Sequence, residues 1–287
     1  MTYTSKAGRH FCIVGVATLG VVAAVIAVQT GWRGEPHWFT GYDPLQILPK
    51  WMVTAVIIFL AAVISSTVGF AFSAIAGAMI LHYVANAVEA VQILMIASIG
   101  IQAYSVVQLS HSIRWHRCAP FILGGAAALP IGILLLVNLQ PRTYASAIGA
   151  ALVAYGLYML LRRQVSIKSG YRPATDALVG ALGGITGPLA AFPGACVTIW
   201  CGMRGWDKIA QRAVYQPYIL IMQIIGFGTL YVLQGPSTLD PALFAYALPG
   251  LAGAIIGLRV FHALTDLQFQ RMINVALVAS GMALMLK

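Results

Sequence analysis

The sequence predicts an all-α integral membrane protein. It reads as an inverted repeat of two halves, each a re-entrant broken-helix hairpin plus three transmembrane helices, with one extra N-terminal transmembrane helix. Three observations predict this. Hydrophobic residues make up 60% of the chain and charged residues only 8%, against about 25% charged in ordinary soluble domains. Apolar stretches near the ~20 residues needed to cross a bilayer recur along the whole length, and mean hydropathy is +0.86. Two glycine-interrupted apolar segments stand at matching places in the two halves. The first reads Ser65-Ser66-Thr67-Val68-Gly69-Phe70-Ala71-Phe72-Ser73, and the second Gly183-Gly184-Ile185-Thr186-Gly187-Pro188, followed by Pro193-Gly194-Ala195-Cys196.

Each element follows in order. Phe11 to Val28 is an apolar run behind Lys6 and Arg9. It is long for a signal peptide and lacks a small-x-small cleavage site, so it reads as a retained helix. Residues 1–50 thus form an extra N-terminal transmembrane helix and an external loop. Residues 51–161 form a first transport repeat: the broken segment Trp51–Tyr83, then helices Ala87–Leu109, Ala119–Leu139 and Tyr144–Leu161. A basic linker occupies 162–173. Residues 174–287 repeat the plan, with the broken segment Ala174–Gly202 and helices Ile209–Leu233, Pro241–Phe261 and Leu267–Leu286.

Charge placement decides how the broken segments cross. If each were a simple span, with the N-terminus cytoplasmic, Arg114, Arg117, Arg162, Arg163, Lys168 and Arg172 would lie outside. That opposes the positive-inside bias. If each is a hairpin returning to its own side, the loops 110–118, 162–173, 202–208 and the Arg259–Arg271 turn become cytoplasmic. The loops 29–50, 84–88 and 234–240, nearly neutral in charge, then become external, and only the short turn with Arg142 goes against the bias. The hairpin arrangement wins, and it relates the halves by inversion. The net charge of +10 follows mainly from this bias and is compatible with an anionic substrate. Basic residues in short separated loops argue against nucleic acid as a partner.

Broken helices expose backbone at membrane depth, which is tolerated where it is buried in protein or lines a wet cavity. Matching breaks in two halves point to a transporter's binding site. Returning half-helices should begin near Phe72–Ala74 and Ala191–Gly194, presenting free N–H groups at a positive dipole end. Two such ends make an anion site. Ser65, Ser66, Thr67, Ser73, Thr186 and Thr198 offer hydroxyl donors, about half of them equally suited to bonding the preceding helical turn. Gly69, Gly187, Pro188 and Gly194 permit the turns and a close backbone approach. Arg212 is the best cationic candidate to neutralise substrate, with a topological or capping role at its helix start as the plainer reading. Gln92, Tyr215 and Gln216, suited to interhelical bonding, lie just after the hairpins, where a pathway would be lined. His82 and Glu89 are candidates for a proton relay, with packing or capping as their plainer role. Asp176, opening the second hairpin, reads as a capping or topological residue. The four cysteines lack a CxxC spacing and no histidine pair completes a metal set, so neither a metal nor a cofactor is expected.

At these residues the chain resembles the sulfite exporter TauE/SafE family of anion carriers. The likeness rests on Gly183-Gly184-Ile185-Thr186-Gly187-Pro188, then Arg204-Gly205-Trp206-Asp207-Lys208 and Arg212-Ala213, and spans roughly 51–286. Ser66-Thr67-Val68-Gly69-Phe70 resembles a weaker first-half copy. The resemblance implies transport of sulfite, sulfoacetate or another organosulfonate across a bacterial inner membrane. An organosulfonate needs apolar room beside its anionic head, which Phe70, Phe72 and Phe192 could supply.

The expected function is therefore secondary transport of a sulfur-containing anion by alternating access. The alternatives are a passive anion channel and, more remotely, a membrane-embedded enzyme. HExxH, GxSxG and clustered carboxylates are all missing, so no enzymatic activity is expected. The expected partners are a small anion and the lipid bilayer. The small-residue run Gly250, Gly253, Gly257 fits helix packing within one protomer or across a homodimer.

Overall fold

The structure, a computed structural model, describes residues 49–70, 72–84, 87–138, 141–161, 172–190, 193–234 and 240–285. The expected helix at Phe11–Val28, most of the basic linker and Phe192 lie outside the described residues.

The described chain is helical, with no strand. The first half comprises α1 (Lys50–Val68), α2 (Phe72–Tyr83), α3 (Ala87–Gln108), α4 (Trp115–Asn138) and α5 (Pro141–Leu161). The second comprises α6 (Pro173–Ala190), α7 (Ala195–Met203), α8 (Lys208–Gln234), α9 (Ala247–Ala263) and α10 (Asp266–Met285). Short 3₁₀ turns sit between α3 and α4 and between α8 and α9. Four spans, Lys50–Val68, Glu89–Gln108, Trp115–Leu135 and Pro241–Ala263, are long and apolar enough to cross a membrane. The chain is a multi-pass membrane protein.

Local chemistry explains the boundaries. Pro141 and Pro173 open their helices at the first position, where the missing N–H is no loss. The helix expected from Pro241 instead begins as a 3₁₀ turn, Pro241–Tyr246. Pro249 lies just inside α9, and its ring disfavours regular α geometry at the carbonyl four residues earlier. The Asp240 carboxylate accepts the Ala242 N–H at 2.8 Å and fixes the entry.

Packing couples the halves. The most extensive contacts join α4 with α6, α5 with α10 and α1 with α9. Gly253 lies against the Phe59 carbonyl and Gly257 against that of Val63, so α1 and α9 run parallel. Gly180 meets the Phe121 carbonyl and Gly184 that of Gly125, so α6 and α4 also run parallel. Helices α3 and α8 are antiparallel: Gln223 donates to Ser98 Oγ at 2.6 Å, and Gly226 faces Met95. So are α5 and α10, where Gly156 meets Asn274 and Gly281 meets Gly149. Lipid tails supply no hydrophobic drive between helices, so such contacts depend on small residues that let backbones approach. Each broken segment's long arm is thus packed on a helix of the other half.

Candidate functional site

The first break is made by Gly69, whose φ of +95° is left-handed and whose N–H caps Ser65. A helix end leaves carbonyls without partners, and here three side chains of α8 supply donors. Arg212 Nη2 donates to the Ser66 carbonyl, Tyr215 Oη to Val68 at 2.9 Å and Gln216 Nε2 to Gly69 at 3.0 Å. Their spacing of three and four residues places them on one helix face. Thr67 Oγ1 bonds Val63 at 2.8 Å and Gly257 at 3.2 Å. A cation at this end also meets the negative pole of the α1 dipole.

The second break differs from the sequence expectation. Helix α6 runs on through Gly183, Gly184, Thr186, Gly187 and Pro188 and ends at Ala190. Gly184 is used for contact with α4, and Gly183 faces Tyr218 and the Pro193 carbonyl. Thr186 Oγ1 bonds back to Leu182 at 2.9 Å. Tyr218 Oη donates to the Gly180 carbonyl at 2.7 Å. Pro193 and Gly194 form a turn, and α7 starts at Ala195 behind Gly194. Helix α2 starts at Phe72, within the expected Phe72–Ala74, and α7 starts one residue past the expected Ala191–Gly194.

The two turns adjoin. A Cβ built on Gly194 would lie 3.9 Å from Phe70 Cβ and press on Ile219 of α8. Phe70, Ala195, Tyr215, Tyr218 and Ile219 belong to one buried cluster. Phe72 belongs to a different buried cluster, with Ile58 and Ile80. Ser66, Thr67 and Gln92 are buried, Ser73, Thr186, Gly187 and Pro188 are half-buried, and His82 lies in α2. Glu89 is exposed in the first turn of α3, away from this centre.

Arg212 dominates the electrostatics. It is 0% exposed, and no acidic group pairs with it among the described residues. Among the described residues its Nε and Nη1 have no hydrogen-bond partner, and neither do the nearby Ser66 Oγ and Gln216 Oε1. One face of the guanidinium is covered by the Phe261 ring, 4.2 Å away. Burying an ion without a counter-charge is expensive, so a fully buried guanidinium with no acidic partner among the described residues is a candidate functional group.

The other buried arginine is neutralised. Arg204 Nη2 lies 3.2 Å from Asp176 Oδ1, and Trp200 Nε1 donates to the same carboxylate at 2.9 Å. The Arg204 guanidinium also stands over the rings of Trp200 and Trp206. Asp176 opens α6 and Trp200 lies near the end of α7, so these contacts tie the start of α6 to the end of α7. The sequence showed a lone acid in an apolar segment, but its partner 28 residues on carried no local signal. Phe261 was likewise missed, because a phenylalanine in an apolar helix is indistinguishable from packing. No group of three or more metal-binding side chains is assembled among the described residues.

The family model described as sulfite exporter TauE/SafE matches residues 54–284. No curated protein and no solved structure gives a significant match. The matched region takes in both breaks and reaches from within α1 into α10, and the chain belongs to the sulfite exporter TauE/SafE family.

Proposed function

We propose that the chain is a secondary transporter that moves a sulfur-containing anion, such as sulfite, sulfoacetate or another organosulfonate, across the bacterial inner membrane. The anion binds between the two breaks and alternating access carries it across. The halves are an inverted repeat, each a re-entrant hairpin plus three spans, with the N-terminus cytoplasmic. The parallel pairs α1–α9 and α6–α4, which exchange when the halves are exchanged, support that symmetry.

One observation carries the functional reading: the buried Arg212 guanidinium, with two donors unspent and no carboxylate partner among the described residues. An anion joining it would supply the missing counter-charge, and charge-assisted bonds are the strong ones. Ser66 Oγ and the N–H groups opening α2 and α7 are the further donors in reach of such a site. Phe70 offers apolar wall for the substrate's organic part.

The test is uptake of sulfite, sulfoacetate, taurine, sulfate and chloride into proteoliposomes, with Arg212→Gln beside the parent. Glutamine keeps a donor for the Ser66 carbonyl while removing the charge. Saturable uptake of a sulfur anion, reduced about 10- to 100-fold in the variant, is the expected result. Uptake indifferent to Arg212→Gln overturns the site, and fast non-saturating chloride flux overturns the carrier in favour of a channel.

A further inference from the structure

We propose that Phe261 and Arg212 form the cytoplasmic gate of the anion path, held shut by their cation–π contact and released when an anion pairs with the guanidinium. The inference rests on the anion-site reading of Arg212 and adds a device that the reading does not require.

The geometry begins at the end of α9. Phe261 is fully buried, with its ring over the guanidinium carbon of Arg212 at 4.2 Å. Just beyond it α9 ends at Ala263, and His262 and Ala263 are already exposed. The ring therefore lies between the buried charge and the polar end of the bundle. Phe269 of α10 braces it edge-on at a centroid distance of 5.2 Å.

Lys208 holds this end in place. Its Nζ donates to the carbonyls of Phe261 at 3.1 Å and His262 at 3.3 Å, and to that of Leu264. Three ammonium protons meet three carbonyls of a helix terminus, where a cation is favoured. The Lys208 N–H is itself bonded to Asp266 Oδ1 at 3.2 Å. Lys208 and Arg212 stand one turn apart on α8, so one helix face both fastens the end of α9 and draws its phenylalanine inward.

The coupling is electrostatic. The ring occupies the face of the guanidinium, whereas the unpartnered Nε and Nη1 lie at its edge, so an anion need not displace the ring to bind. A ring's attraction to a cation depends on the net charge it meets. Pairing that charge with an anion weakens the hold on Phe261, and the end of α9 is freed to swing. By reciprocity, losing the ring must strengthen anion binding by the same factor. An unoccupied site is kept closed by its own charge, and arrival of the cargo removes the restraint.

The experiment introduces Ser66→Cys, beside Arg212, and measures its labelling by a charged methanethiosulfonate in inside-out membrane vesicles. Each gate variant is compared with the same variant lacking Ser66→Cys, which subtracts the native cysteines. Phe261→Leu keeps bulk but loses the π face, whereas Phe261→Tyr keeps the face. Labelling should rise roughly tenfold or more in Phe261→Leu, stay near the parental rate in Phe261→Tyr, and rise by less in Arg212→Gln. Lys208 Nζ also stands over the Phe261 ring, at 5.1 Å, so Phe261→Leu removes more than Arg212→Gln does. The double variant should label no faster than Phe261→Leu alone, because the arginine acts on the gate only through that ring. Parental labelling in Phe261→Leu, or additive effects in the double variant, overturns the gate. The anion site is judged separately by Arg212-dependent uptake, so either idea can fail while the other stands.

Discussion

Gly69→Ala is the sharpest test of how the first break is built. At φ +95° an L-residue is strained, by about 1–2 kcal/mol. The added Cβ would also collide with Tyr215, coming within 2.7 Å of Cε2 and 2.9 Å of Cζ and closer still to Oη. Real Cβ contacts do not reach such distances, so the tyrosine must move. Its hydroxyl then leaves the Val68 carbonyl, 2.9 Å away at present. Orphaning a buried polar group costs about 1–3 kcal/mol. The sum is roughly 2–5 kcal/mol, a fall of about 5–15 °C in melting temperature by the scale of soluble domains of this size. The assay is thermal unfolding of detergent-solubilised protein for Gly69→Ala, Tyr215→Leu and the double variant. Because leucine vacates the space that the new methyl needs, the double variant should melt above the sum of the single losses. A neutral Gly69→Ala, or strictly additive losses, would refute the account.

Four further outcomes are expected. Asp176→Asn should destabilise the protein by about 3 kcal/mol, because the buried Arg204 charge loses its carboxylate; combining it with Arg204→Met should recover part of the lost melting temperature. Gly257→Leu would drive a side chain into the Val63 carbonyl of α1, and size-exclusion chromatography should show loss of the monodisperse peak. Gly228→Leu, with nothing within 4 Å of its Cβ position, should elute like the parent. Tyr218→Phe should cost about 0.5–1.5 kcal/mol by removing the hydroxyl's bond to the Gly180 carbonyl, read as a lower melting temperature with intact helix content.

Much of the architecture was legible because lipid imposes simple arithmetic. Span lengths and the restart of helices near Phe72 and Ala195 follow from local residues, whereas the helices expected from Tyr144 and Ala174 start at Pro141 and Pro173. The family assignment could be read from the glycine motifs and their order. The meaning of individual glycines was harder to see. Gly69 ends a helix, whereas Gly183 and Gly184 lie within one and admit Tyr218 and α4, and sequence alone does not separate a turn from a close approach. Phe70 and Phe72 looked equivalent, but they enter different buried clusters, since two positions of an irregular turn share no fixed periodicity. Arg212, Tyr215 and Gln216 stood out as polar residues at helical spacing. That all three reach carbonyls of α1 depends on a contact between distant segments, which no local pattern encodes.

The completion of α1 by α8 also bears on the order in which the chain can assemble. Ser66 precedes Arg212 by 146 residues, and Gly69 precedes Gln216 by 147. At about 5–20 residues per second of synthesis, the end of α1 waits roughly 7–30 seconds for its donors. During that interval its carbonyls must be met by water, by the insertion machinery or by an unfinished bundle. The nascent first half is therefore a client, held until the ribosome delivers the side chains that finish its own first helix.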